Sequence, residues 1–177
     1  MFEYRPSTWR VHHVPAKKTG VLSVENEATG DGIQAILDLY NENSPFTEFL
    51  GIRGTAFDSE NAVLTFEKQE AWIGNYHLGS LHGGVVAGML DAAGAILVLT
   101  EQYSRGQIHS FEKQKEKASR ISTIDLHIDY LKPGTGKAFY AAGEVLRIGN
   151  RVAVARVDLN NEAGQRIAVA TGTYSIG

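Results

Sequence analysis

Residues 75–99 read NYHLGSLHGGVVAGMLDAAGAILVL: a polar, glycine-bearing opening, then a long apolar segment with one carboxylate, Asp91, set inside it. A run of this length has the proportions of a buried helix rather than of a strand. A helix that is apolar nearly all round must be covered by other elements, so this segment decides the fold. Its apolar part, 85–99, is interrupted by Asp91 and is too short to span a bilayer. Nothing near Met1 has the apolar central region of a signal peptide, so no membrane partner and a cytoplasmic setting are expected.

The flanks say what covers the helix. Upstream, GIQAILDLYNENSPF spaces Ile33, Ile36, Leu37 and Tyr40 as one face of a short amphipathic helix ending near Pro45. FLGIRGTAFDSENAVLTFEKQ follows as a hairpin, with its turn at 58–61 and alternation through Val63, Thr65 and Glu67. Downstream, SRGQIHSFEKQKEKASR is a polar stretch, and EKQKEK at 112–117 reads as solvated, with phosphate contact as the lesser alternative. Then ISTIDLHIDYL places Ile124, Leu126, Ile128 and Tyr130 on one strand face, ended by PGTG at 133–136. KAFYAAGEVLRIG and RVAVARVDLNNEAG flank a turn at Gly149-Asn150, and QRIAVATGTYSI closes the chain. Helix, two strands, long helix, four strands predicts an α+β domain in which one antiparallel sheet curves around a central helix. Residues 1–28, with Trp9, His12, His13, Lys17 and Lys18, show no clean period and read as an N-terminal extension to a domain over 29–177.

Composition narrows the function. The 177 residues are 43% apolar and 21% charged, ordinary for one globular domain. A net charge of −3 supplies no basic field for a phosphate backbone, so no nucleic-acid partner is expected. The absence of cysteine removes disulfides, thiolate metal sites and cysteine nucleophiles. His77 and His82 lie five residues apart with no convincing third ligand, so no metal is assigned.

GSLHGGVVAGMLD, STIDLHIDYLKPGTG and the closing RVAVARVDLNNEAGQRIAVATGTY together resemble the PaaI-like hotdog-fold acyl-CoA thioesterases, over roughly residues 32–177. The most specific feature is His82-Gly83-Gly84 with an acid eight residues after Gly83. The resemblance implies a hotdog fold, an acyl-CoA substrate, no separate cofactor, and a homodimer or a dimer of dimers.

The chemistry of that spacing stands on its own. Glycines at a helix start bring the backbone close to a ligand, and the free N–H groups of the first turn favour a developing negative oxygen. Gly83 and Gly84 are the candidate donors for the oxyanion of thioester hydrolysis. Asp91 lies two turns further on, about 10 Å along the axis from Gly84 at 1.5 Å per residue. One chain's acid is thus badly placed for its own oxyanion site, whereas a second, antiparallel helix would bring it near. The spacing predicts a composite site at a two-fold interface, with Asp91 activating water or attacking the thioester itself. A purely structural Asp91 would need a partner, because an unpaired buried carboxylate is costly.

By resemblance, Thr123 in STIDL orients the attacking water, the alternative being an ordinary strand threonine. Asn75 or Tyr76 fills the position of the family's asparagine, the gap to His82 being one residue longer here. His82 holds loop geometry by hydrogen bonding. Tyr130 and Arg147 match positions that contact coenzyme A, with Lys132 and Arg151 as nearby positive charge. The competing function on the same fold is a non-catalytic acyl-CoA binding or sensing domain, which has no need of Asp91 facing a thioester. A hotdog dehydratase would want a histidine paired with an acid, and the sequence carries no such signature.

Overall fold

The central helix is present, in a computed structural model that describes residues 27–52, 64–108 and 110–177, as α3, Gly83–Ser104. At 22 residues it runs a turn beyond the apolar run and has the length and hydropathy of a membrane span, but two thirds of that span is buried inside the protein. Before it come α1 (Glu27–Asn43), α2 (Pro45–Leu50), β1 (Leu64–Glu67), a single 3₁₀ turn (Glu70–Trp72), β2 (Ile73–Asn75) and β3 (Ser80–Leu81). After it come α4 (Phe111–Arg120), β4 (Ser122–Tyr130), β5 (Ala138–Ile148), β6 (Val152–Asn161) and β7 (Arg166–Ser175).

Among the described residues, five strands form one antiparallel sheet in the order β1-β5-β6-β7-β4, and β2 pairs with β3 in a separate small hairpin. The helix lies against β4, β5, β6 and β7, as expected. The strands facing it are lined with small residues: Ala153, Ala155, Ala168 and Ala170 are buried beside Val157, Leu159 and Ile167. Small side chains let the helix approach closely, and each large apolar residue that α3 buries contributes about 1.5–3 kcal/mol.

Several expectations are corrected. The expected hairpin over 49–69 is described only at its two ends: Phe49 and Leu50 belong to α2 rather than to a strand, Leu64–Glu67 form β1, which pairs with β5 through Leu64↔Ala141, and residues 53–63 lie outside the described residues. Pro45, expected to stop the first helix, instead opens α2 at the position where its missing N–H costs nothing. In α1, Ile36 and Leu37 are buried and Tyr40 half-buried, as the period required. The polar stretch folds as α4, capped by Ser110 and held by Glu116, which takes Lys113 at 2.6 Å and Arg120 at 2.9 Å. The N-terminal extension except its last two residues, the Ile33 side chain, and the turn at 58–61 with Val63 lie outside the described residues.

In β4 a bulge between Thr123 and Asp125 breaks the expected alternation. Leu126 and Ile128 pack toward the core, but Ile124 is thrown outward, 59% exposed, and Thr123 takes the helix-facing side.

Helix and sheet approach closely at Tyr174 of β7, fully buried, whose ring lies over Gly172 and against Gly94 of α3. A Cβ added at Gly94 would stand 2.0 Å from the Tyr174 hydroxyl oxygen. Gly94→Ala is therefore expected to lower unfolding stability by about 1–3 kcal/mol. Tyr174→Phe, which removes the nearest clashing atom, should recover part of the loss. Urea denaturation of the two single variants and the double variant measures both; simple additivity would mean that the clash is not between these groups.

Candidate functional site

The start of α3 is fixed from three sides. The His82 N–H donates to the Trp72 carbonyl at 2.7 Å, and the Leu81 N–H to the Gly134 carbonyl at 2.9 Å. Gly74 permits the first approach, since a Cβ there would meet His82 Cα at 2.6 Å, and Gly134 packs directly on Leu81. The PGTG turn thus holds the helix start as well as ending a strand. His82 is the N-cap: its Nδ1 accepts from the Gly84 N–H at 3.0 Å. One expected oxyanion donor, Gly84, is therefore occupied. The Gly83 N–H has no acceptor among the described residues and stands at the positive end of the helix dipole. Tyr130, at the end of β4, donates its hydroxyl to the Gly83 carbonyl at 2.9 Å, and its ring lies 3.5 Å from where a Gly83 Cβ would be.

Two turns along, Asp91 is half-buried on α3, and the Thr123 hydroxyl donates to its Oδ1 at 2.8 Å. The bulge makes this pair possible by turning Thr123 inward. Thr123 therefore positions the carboxylate directly. The Tyr174 hydroxyl approaches the Asp91 backbone carbonyl at 3.4 Å. Burial first, then the charge of Asp91, push the Tyr40 hydroxyl up to about 12. The same two causes, joined by Tyr40, raise Tyr174 as well. Asp91 thus looks out between α1, β4 and β7. Tyr40 and Tyr174 carry no motif, and only the tertiary packing reveals them beside Asp91.

Asn75 closes β2, and its Oδ1 accepts from the N–H groups of His77 at 3.1 Å and Leu78 at 3.3 Å, bracing the loop 76–79. That leaves its amide NH2 as the outward donor. Tyr76 is exposed and packs on the His77 ring, 4.0 Å between centroids.

Arg147 is exposed on β5, near Arg151, at a hollow of about 310 Å³. Strand register puts it level with Val154, Thr173 and Asp125, whereas Tyr130 is level with Ala168. The two are separated by five residues along the strand direction, about 17 Å. Within one chain, then, Asp91, Thr123, Arg147 and Arg151 gather at one end of the sheet, and Gly83, Tyr130 and Lys132 at the other.

Residues 78–168 match the thioesterase superfamily. The medium/long-chain acyl-CoA thioesterase YigI of Escherichia coli K12 is 39% identical over 145 residues, 82% of this chain and 94% of YigI. A crystal structure from Shewanella oneidensis, of a protein related to the thioesterase superfamily, superposes with a TM-score of 0.77 at 33% identity, covering 86% of this chain and all of that one. The E. coli PaaI protein of the phenylacetic acid degradation operon shares the fold, at TM-score 0.60 and 21% identity over 84% of this chain and 95% of its own.

The neighbourhood of Asp91 has a measurable signature. Tyr40 ionises at about 12 in the fold against 10.0 ordinarily, so the folded state favours the neutral phenol. The stability this contributes is fully present below pH 10 and is lost as pH rises through about 12. In Asp91→Asn the Tyr40 transition should move down but stay above its ordinary value, because burial is the larger cause. NMR titration of ring-labelled tyrosine reads this, and an unmoved Tyr40 would put the carboxylate elsewhere.

Proposed function

Since the chain belongs to the thioesterase superfamily, we propose that it hydrolyses medium- to long-chain acyl-CoA thioesters to the free acid and coenzyme A, at a site built by two copies. The observation that carries this reading is Asp91: a carboxylate inside the apolar run of α3, aimed by Thr123 and left half-open. A protein that only bound acyl-CoA would have no use for that group.

Asp91 takes a proton from a water as it attacks the acyl carbonyl carbon, or its own oxygen attacks and the resulting acyl-aspartyl anhydride is then hydrolysed. The carbonyl oxygen gains the negative charge and is held by the Gly83 N–H, with the Asn75 NH2 as a further donor. Such a donor is worth roughly 10²–10³ in rate. The C–S bond then breaks, and the coenzyme A thiolate leaves and takes a proton. No cofactor beyond the coenzyme A of the substrate and a cytoplasmic setting belong to the same proposal.

The partition of the residues supports the composite site. Among the described residues β4 is an edge strand of the sheet, and it and the residue after it bear exposed Ile124, Tyr130 and Leu131, an edge that proteins normally cover. Antiparallel pairing of two such edges, centred between Leu126 and His127, sets Thr123 of one copy opposite Tyr130 of the other. The Asp91 end with Arg147 and Arg151 then meets the Gly83 end with Tyr130 and Lys132, one end from each copy, and the cations surround one coenzyme A.

Asp91→Asn should keep the fold and lower hydrolysis by roughly 10² or more, measured on palmitoyl-CoA; unchanged turnover would falsify the mechanism. Gly83→Val should also be inactive, as a homodimer with both sites broken. After subunit exchange between these two variants, half the protein is mixed dimer with one intact site of two. Activity should therefore return to roughly a quarter of wild type. No recovery after verified exchange means that Asp91 and Gly83 act within one chain.

A further inference from the structure

We infer that the half-open cavity between α1, α2, α3 and α4 receives the far part of the substrate's acyl chain, an inference that rests on the thioesterase reading above. The cavity holds about 620 Å³, within the range of roughly 300–1,000 Å³ typical of small-molecule sites. Its apolar lining is Ile36, Leu39, Tyr40, Leu99 and Ala118, with the exposed Phe46 at its mouth. Ile36, Leu39 and Leu99 are buried, and the polar groups, Lys115 and Ser119 among them, are at the exposed side. An apolar space of this size favours hydrocarbon over water.

The position of the cavity on α3 connects it to the reacting group. Gly88, Asp91, Ala95 and Leu99 follow at steps of three, four and four, so they form one stripe on the helix. Phe46 sits at the Gly88 end of that stripe, 3.8 Å from where a Cβ would be, and Leu99 forms the wall at the other end. Asp91 lies between these two wall contacts, about 12 Å along the axis from Leu99. Tyr40 lines the cavity and also feels the charge of Asp91, which stands on that stripe between the two wall contacts. A thioester carbonyl at Asp91 therefore has an apolar channel for its chain under α4. That helix, a charged segment with little apolar period, then has the role of closing the channel and setting its length.

The test is kcat/KM of the full-length protein on saturated acyl-CoA thioesters from butyryl to palmitoyl, for wild type, Ala118→Trp and Ser119→Trp. Each methylene buried should raise wild-type kcat/KM by about fourfold until the cavity is filled. In either variant the indole occupies the channel, and the palmitoyl-to-butyryl ratio should fall at least tenfold. The ratio cancels general damage, and Ser119→Trp, on the exposed side, serves should Ala118→Trp not fold. An unchanged ratio in a folded variant overturns the inference, because the chain then runs elsewhere or the space is taken by another segment or molecule. Failure of the thioesterase reading looks different: wild type would hydrolyse no acyl-CoA of any length. Calorimetric binding of a palmityl-CoA thioether to wild type and Ala118→Trp would then test the cavity by itself, and equal affinity would overturn it.

Discussion

The structure depends on covering α3. Of its 22 residues, 13 are buried, including both Thr100 and Gln102 near its end, so this helix has almost no face that water can own. The sheet meets that demand with small side chains on β6 and β7 and with the Tyr174 ring laid between Gly94 and Gly172. What remains partly open on the helix is a narrow stripe, and Asp91 is on it. The placement of the acid is thus the complement of the packing: where sheet and α1 fail to close over the helix, a carboxylate can stay charged and still be held by Thr123.

The parts of the fold that were legible in the sequence are those with a strong period. α3 and β4 through β7 follow from apolar runs and alternation, because burial selects side chains at the spacing of the backbone. β2 and β3 are too short to leave a period. α4 has few apolar residues to read: it packs through Gln114 and Ala118, and charged side chains bridging one turn add a little, a pattern that in sequence looks like a solvated segment. A bulge is a one-residue event, so the reversal that turns Thr123 inward and Ile124 outward was invisible to an alternation rule that held at Leu126 and Ile128.

The site divides in the same way. His82-Gly83-Gly84 and Asp91 could be found because their chemistry is bound to a local spacing on one helix. Tyr40 and Tyr174 could not, since they reach Asp91 from α1 and β7 across the fold. The split between Tyr130 and Arg147 is likewise a property of sheet register, and resemblance alone lists them together without saying that one chain cannot bring them together.

His82 as the cap bears directly on the oxyanion site. Aspartate and serine are the usual strong caps, but an aspartate at that position would place a full negative charge against the end of the helix where the reaction must accumulate another. A neutral imidazole accepts the Gly84 N–H without charge. The first turn is then partly satisfied, its geometry is fixed, and the dipole together with the Gly83 N–H stays available to a developing oxyanion. Within one chain the two groups of the proposed reaction stand apart: the carboxylate resides on one stripe of α3, and the bare amide is at its start, about 12 Å away along the axis. Such a separation is useless to a single chain and becomes an advantage when a second helix runs the other way. In the proposed dimer the second copy would bring its own Asp91 to the Gly83 N–H, so that each site would receive one group from each chain.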